Sequence, residues 1–222
     1  MLRLLWLVPV AVGAGLLLAA PTLPVFSRPT AAPQPAKAAP TPEPTPEREI
    51  PLSDGFDYPV GEKGFVTPEK DGDGWYNARG FRSQRHLGED WNAESGGNTD
   101  CGEPVFAASK GRVVLSEDLR GGWGQVVLVR HRLPDGQLVE TLYAHLDKRF
   151  VQTGDEVRRG QQIAAIGDAE PPCGDNRPYY AHLHFELRSP NCPHWGQSGE
   201  GYGLDATGWL DPSRFIDENR FF

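Results

Sequence analysis

An all-β domain of antiparallel sheets is what this 222-residue sequence predicts, and three observations lead there. Beyond the N-terminal leader, no stretch of ten or more residues has clear helical periodicity. Short Val-, Ile- and Leu-rich runs recur instead, bounded by Gly, Pro and Asp. One run, Ala181-His182-Leu183-His184-Phe185-Glu186-Leu187-Arg188, alternates strictly. Leu183, Phe185 and Leu187 take one face, and His182, His184, Glu186 and Arg188 the other. Two histidines at i and i+2 point about 200° apart on a helix but side by side on a strand. The stretch is therefore read as a strand with one face in the core and a row of titratable groups toward solvent or a groove.

Taken in order, the chain starts with an uncharged apolar run, Leu4 to Ala20, behind Arg3. Residues 1–27 are read as a signal peptide or membrane anchor, outside the fold. Residues 28–51, rich in Pro, Ala, Thr and Glu, lack the large apolar groups needed to bury surface. They are expected to form an extended, disordered spacer reaching about 70 Å at roughly 3.1 Å per residue. The folded domain is expected over 52–222 and outside the cytoplasm.

Asp54 to Arg79 reads as loops and short strands. Pro104–Ala108 and Gly111–Ser116 look like two strands of a hairpin, followed by a turn at Gly121-Gly122-Trp123-Gly124. Gln125–Arg132 is a Val-rich strand, and Pro134-Asp135-Gly136 turns it into the strand Gln137–His145. Thr153–Val157 and Gln161–Ile166 read as a further hairpin about Arg158-Arg159-Gly160. Asp168 to Tyr180 is a long loop feeding the histidine strand, and the chain past Cys192 reads as loop to its aromatic end.

The formal charge is -8 with no basic cluster in the folded part, which argues against nucleic acid as a partner. Three cysteines, Cys101, Cys173 and Cys192, allow one disulfide and leave one thiol over, and the pairing is open. No Cys-x-x-Cys spacing supports a thiolate-ligated zinc.

The candidate chemistry lies in histidines and one carboxylate. His86 and Asp90, four apart, share a face in either a strand or a helix, and Gly88 between them permits close backbone approach. With His184 they make two imidazoles and one carboxylate, the usual protein share of a catalytic zinc. The same set also suits non-haem iron. Two further histidines, His182 on the face of His184 and His145 in Tyr143-Ala144-His145-Leu146, favour hydrolysis. A metal-activated water needs a proton acceptor and a donor to the oxyanion, and an oxygenase has no evident use for either. His131 and His194 are read as packing or surface residues.

Three signatures, His86-x-Gly-x-Asp90, Tyr143-Ala-His145-Leu and His182-Leu-His184-Phe-Glu, resemble those of the LytM/lysostaphin-type zinc metallopeptidases, which cleave peptide bonds in peptidoglycan. Further matches are Gly102-Glu103-Pro104-Val105-Phe106-Ala107, Gly122-Trp123-Gly124, Gly154-Asp155-x-Val157 and Leu210-Asp211-Pro212, so the resemblance runs from about Tyr58 to Ile216. It implies an antiparallel sheet bearing a groove walled by long loops. It implies one Zn2+ per chain on His86, Asp90 and His184, and His145 and His182 as the base and oxyanion-stabilising pair. Peptidoglycan peptides become the expected substrate and the periplasm or cell envelope the expected location, with possible membrane attachment through the leader. The loop Asp168–Tyr180 departs from the family's usual Gly/Ser/Thr-rich segment; it is longer, charged and aromatic, and Arg177 in it is read as solvated. Two other readings are weighed. One is a non-catalytic domain of the same fold that activates another wall hydrolase. The other, a lipoyl-type carrier, lacks a lysine at a hairpin tip.

Overall fold

A computed structural model describes residues 49–61, 74–168, 172–174 and 179–220. The expected leader, most of the spacer and Arg177 lie outside them. Among the described residues no helix is long and apolar enough to cross a membrane.

Among the described residues, ten strands build the fold: β1 Trp75–Arg79, β2 Glu89–Ala93, β3 Pro104–Phe106, β4 Gly111–Asp118, β5 Gln125–Arg132, β6 Leu138–Arg149, β7 Glu156–Val157, β8 Gln162–Ile166, β9 Leu183–Arg188 and β10 Trp209–Leu210. They pair antiparallel in the order β1-β2-β9-β6-β5-β4-β7, with β10 beside β9, and β8 pairing both β3 and β6. The all-β antiparallel architecture expected from the sequence is what the chain adopts.

The sheet is apolar on both faces at its centre, which explains the uninterrupted Val126-Val127-Leu128-Val129 run in β5. Val127, Val129, Tyr143, Leu183, Phe185 and Trp91 fill the main core on one side. Val126, Leu128, Leu142 and Ala144 form a smaller cluster on the other, next to Trp123. The groove lies on that second face.

Two expected hairpins do not form. β3 pairs with β8, and β4 pairs with β5 and β7. The reason is a corner at Ala107–Lys110: Ala107 exchanges backbone bonds with Gln161 and Gly160, so β3 is already committed elsewhere. Gly111 then presses so closely on β5 that a Cβ there would meet Arg130 O at 2.6 Å. Likewise β7 and β8 flank a turn closed by Gln161 N to Arg158 O, yet β7 joins β4 and β8 joins β3 and β6.

The C-terminal segment, read as loop, contains β10 and a helix, α1 (Pro212–Glu218). Asp211 caps it by accepting from Arg214 N at 3.0 Å, and Pro212 takes the first position, where its missing N–H costs nothing. Seven residues are too few to show a helical period. Ile216 is buried in the core, Phe215 meets Phe56 edge-on, and Ser213 donates to Glu89 on β2. Burial raises the Glu89 carboxyl to about 7 against these hydrogen bonds.

Candidate functional site

Register places the candidate residues. In neighbouring strands Asp90 lies opposite His184, and His184 opposite Ala144, so the three share the groove face of β2, β9 and β6. His182, two residues ahead of His184, emerges on the same face just before β9 begins. His86 is not on a strand with Asp90. It follows a tight turn, Ser83–Arg85, in which Gln84 and Arg85 adopt positive φ, as does Arg82 just before it. Its backbone is then held by a bridge to Tyr202. Gly88 lets this segment lie against β9, where a Cβ would come within 2.5 Å of Phe185 O.

These paths bring three ligand atoms together. His86 Nε2, His184 Nδ1 and Asp90 Oδ1 form a triangle with sides of 2.9, 3.1 and 3.2 Å. A tetrahedral site with bonds of about 2.0–2.1 Å requires sides of about 3.3 Å. All three residues are buried, and two imidazole nitrogens and a carboxylate oxygen converge on one point. The donor set therefore fits a tetrahedral divalent cation with a place left for a fourth ligand.

The charges around it are arranged accordingly. Burial would raise the Asp90 carboxyl, but hydrogen bonds from His184 and His86 outweigh this and hold it well below the usual carboxylate range. Burial would lower His184, but Asp90 and Glu186 overcome it and raise the ring to about 9. Glu186 Oε1 lies 2.9 Å from His184 Nε2 and fixes the ring with Nδ1 toward the site. Glu186 is itself gripped by Arg188 Nε at 2.7 Å and Trp209 Nε1 at 2.7 Å. Arg188 donates onward to the backbone carbonyls of His194, Gln197 and Ser198. Thus the polar face of β9 is only half in the groove: Glu186 and Arg188, expected toward solvent or the groove, are fully buried beneath the 189–208 segment.

His145 reaches the groove through a bulge. Strict alternation would send it to the core side with Thr141 and Tyr143. Between Val127 and Gln125 of β5, however, the pairing on β6 jumps from Tyr143 to Leu146, and His145 takes φ 59°. The extra residue turns its side chain to the groove. Its ring lies 4.8 Å from that of His182 and 5.6 Å from that of His184. Burial, then the neighbouring His182 and His184, hold His145 well below the ordinary histidine value, and burial lowers His182 as well.

A groove of about 640 Å³ opens over this cluster, with Arg79, Trp123, Tyr179, Glu200 and Tyr202 along its walls. A disulfide between Cys101 and Cys173 ties the turn after β2 to the loop before β9, and Asn98 bonds that loop at Gly174 O and Ala181 N. Cys192 is the free, buried thiol.

Comparison with known proteins gives the family. The model described as "Peptidase family M23" matches residues 84–195, half of the chain. The chain belongs to peptidase family M23. Lipoprotein NlpD of Yersinia enterocolitica is 34% identical over 87 residues, 39% of this chain and 78% of that protein. The murein hydrolase activator NlpD of Salmonella dublin is 31% identical over 106 residues, 45% of this chain and only 25% of the activator. Among solved structures, lysostaphin from Staphylococcus simulans aligns with a TM-score of 0.43 at 23% identity, over 64% of this chain and 48% of that one.

Within this M23 domain, four of the five residues singled out from the sequence, Asp90, His145, His182 and His184, line one groove, and the fifth, His86, is buried against His184. Others escaped sequence reasoning. Tyr179, whose hydroxyl lies 3.0 Å from His145 Nδ1, sits in an irregular loop that offers no period to read. Arg79 and Tyr202, joined at 2.6 Å, are 123 residues apart. His131, read as a packing residue, is wholly buried, with Nδ1 2.9 Å from Lys110 O and Nε2 2.8 Å from Thr141 Oγ1.

Proposed function

We propose that this M23 domain is a zinc-dependent endopeptidase that hydrolyses peptide bonds of peptidoglycan, in cross-links or stem peptides. The observation that carries the reading is the His86–Asp90–His184 triangle at the floor of a groove, with two non-ligating imidazoles, His145 and His182, beside it. His86, Asp90 and His184 would hold the ion. When bound, it supplies a Lewis acid that makes a water nucleophilic near neutral pH and polarises the scissile carbonyl.

The chain's own residues do the remaining work. One of His145 and His182 accepts the proton of the attacking water at Nε2, and the other, once protonated at Nε2 as well as Nδ1, donates to the oxygen on which negative charge develops. The proton is then delivered to the leaving amine. Glu186 keeps His184 oriented. Trp123 and Tyr202 wall the groove, so that an extended peptide lies across the floor with its carbonyl near the triangle. An envelope location is supported by the lipoprotein relatives and by the apolar run Leu4–Ala20, read as a signal peptide or membrane anchor.

Digestion of defined muropeptides followed by mass spectrometry tests the reading. Stoichiometric zinc, cleavage abolished by a chelator, and loss of cleavage on His145→Ala with zinc retained are expected. Full activity of that variant would remove the mechanism, and release of whole stems from sugar would make the enzyme an amidase. A second reading is a domain that activates another wall hydrolase, favoured by the activator among its relatives. Zymography on purified cell wall with the protein alone separates the two.

A further inference from the structure

We propose that Tyr179 is a positioning residue that holds the His145 imidazole in its Nδ1–H form, leaving Nε2 bare as a proton acceptor. The proposal rests on the endopeptidase reading for its significance, but not for its geometry. The Tyr179 hydroxyl lies 2.8 Å from the carbonyl oxygen of Gly122 and 3.0 Å from His145 Nδ1. A carbonyl can only accept, and a phenol has one proton. That proton goes to Gly122, and what the phenol oxygen then offers the ring is a lone pair. Nδ1 must carry the hydrogen of the second bond. The opposite arrangement, with the phenol donating to Nδ1, would leave two oxygens in contact at 2.8 Å with no hydrogen between them. In a neutral ring the proton on Nδ1 leaves Nε2 unprotonated.

The adjacent residue does the same for the other histidine by a different device. His182 Nδ1 lies 2.8 Å from the backbone carbonyl of Tyr180, again a group that only accepts. Two consecutive residues of one loop thus set the tautomers of both non-ligating imidazoles, one by side chain and one by main chain. The Tyr179 ring also packs at 5.0 Å from His145 and 5.1 Å from His182. Its hold on Gly122 fastens it to the Gly121–Trp123 turn, whose indole lies nearly parallel to His145 at 6.4 Å. The phenol is therefore anchored independently of the ring it orients. A general base is useful only in the tautomer that presents its lone pair to the water, so this clamp selects the working form before substrate arrives.

Long-range 1H–15N correlation of the full chain, loaded with zinc and labelled in histidine, reads the tautomers directly. In the wild type, His145 and His182 should both carry the proton on Nδ1. In Tyr179→Phe, His145 should acquire an Nε2–H population while His182, whose carbonyl partner is retained, stays unchanged. Turnover of a muropeptide should fall about 10-fold in kcat with little change in KM. A wild-type His145 protonated on Nε2 would overturn the proposal, and that spectrum decides even if the substitution disturbs the loop. So would a variant in which neither histidine changes. The tautomers are read without substrate, so a chain that cleaves no peptide would overturn the endopeptidase reading and leave this assignment to its own spectrum.

Discussion

Gly88→Ala is expected to dismantle the proposed metal centre without touching a ligand. A Cβ at this position would stand 2.5 Å from Phe185 O and 2.7 Å from Glu186 Cγ, and ordinary contact begins at 3.4 Å. The neighbour is backbone in the middle of the sheet, so relief requires the 86–90 segment to retreat from β9 by about 0.9 Å. His86 and Asp90 travel with one side of that gap and His184 with the other. Metal–ligand distances tolerate only about 0.2 Å, so the triangle would open. The glycine has no positive φ, which makes the effect steric and not one of backbone strain. Overpacking should cost about 1–3 kcal/mol of stability, and zinc affinity should fall about 100-fold. Competition against a chromophoric chelator gives the affinity, and urea unfolding of the metal-free protein gives the stability. A variant that folds and binds zinc as tightly as the wild type would refute the claim that this close approach sets the ligand geometry.

Three further outcomes follow from the structure. Glu186→Gln removes the anion between His184 and the fully buried Arg188, so zinc affinity should fall about 10- to 100-fold and stability by about 3 kcal/mol, both by the same two assays. Burial lowers His131 to about 4, so the unfolded chain takes up its proton first as pH falls. Stability from this ring is then complete above pH 6.5 and declines toward pH 4 by about 3 kcal/mol, a slope that urea titrations should find flattened in His131→Gln. Reduction of Cys101–Cys173, which closes a separation of 72 residues, should lower stability by as much as about 4 kcal/mol, and Cys101→Ser should match it without responding to reductant.

Strand content was legible because alternation and turn residues are local. Partner choice was not. Gly111–Ser116 and Gln125–Arg132 were each readable as strands, but nothing near Pro104 in sequence says that its partner is Ala165. The two hairpins expected from proximity failed because their strands pair with distant chain: Ala107 is bonded to Gly160 and Gln161, and the turn at Arg158–Gln161 closes its own hydrogen bond while β7 and β8 pair elsewhere. Helix α1 shows the opposite case. Its Asp-Pro start is a readable signal, but a period of 3.6 cannot be seen in seven residues.

At the site, spacing brought out the residues whose geometry follows from register. His182 and His184 share a face because strands have period two, and Asp90 joins them because it pairs across from His184. His145 is different. Alternation with Tyr143 assigns it to the core, and only a bulge with φ 59° turns it into the groove. A histidine carries no preference strong enough to announce such a bulge, so the resemblance of Tyr143-Ala-His145-Leu to a known signature supplied what periodicity would have denied. The same limit hid Glu186 and Arg188, whose burial depends on a covering segment, and Tyr179, whose two partners come from elements 34 and 57 residues away. Strained or covered positions of this kind are held by long-range contacts that local sequence does not encode, and here they cluster around the groove.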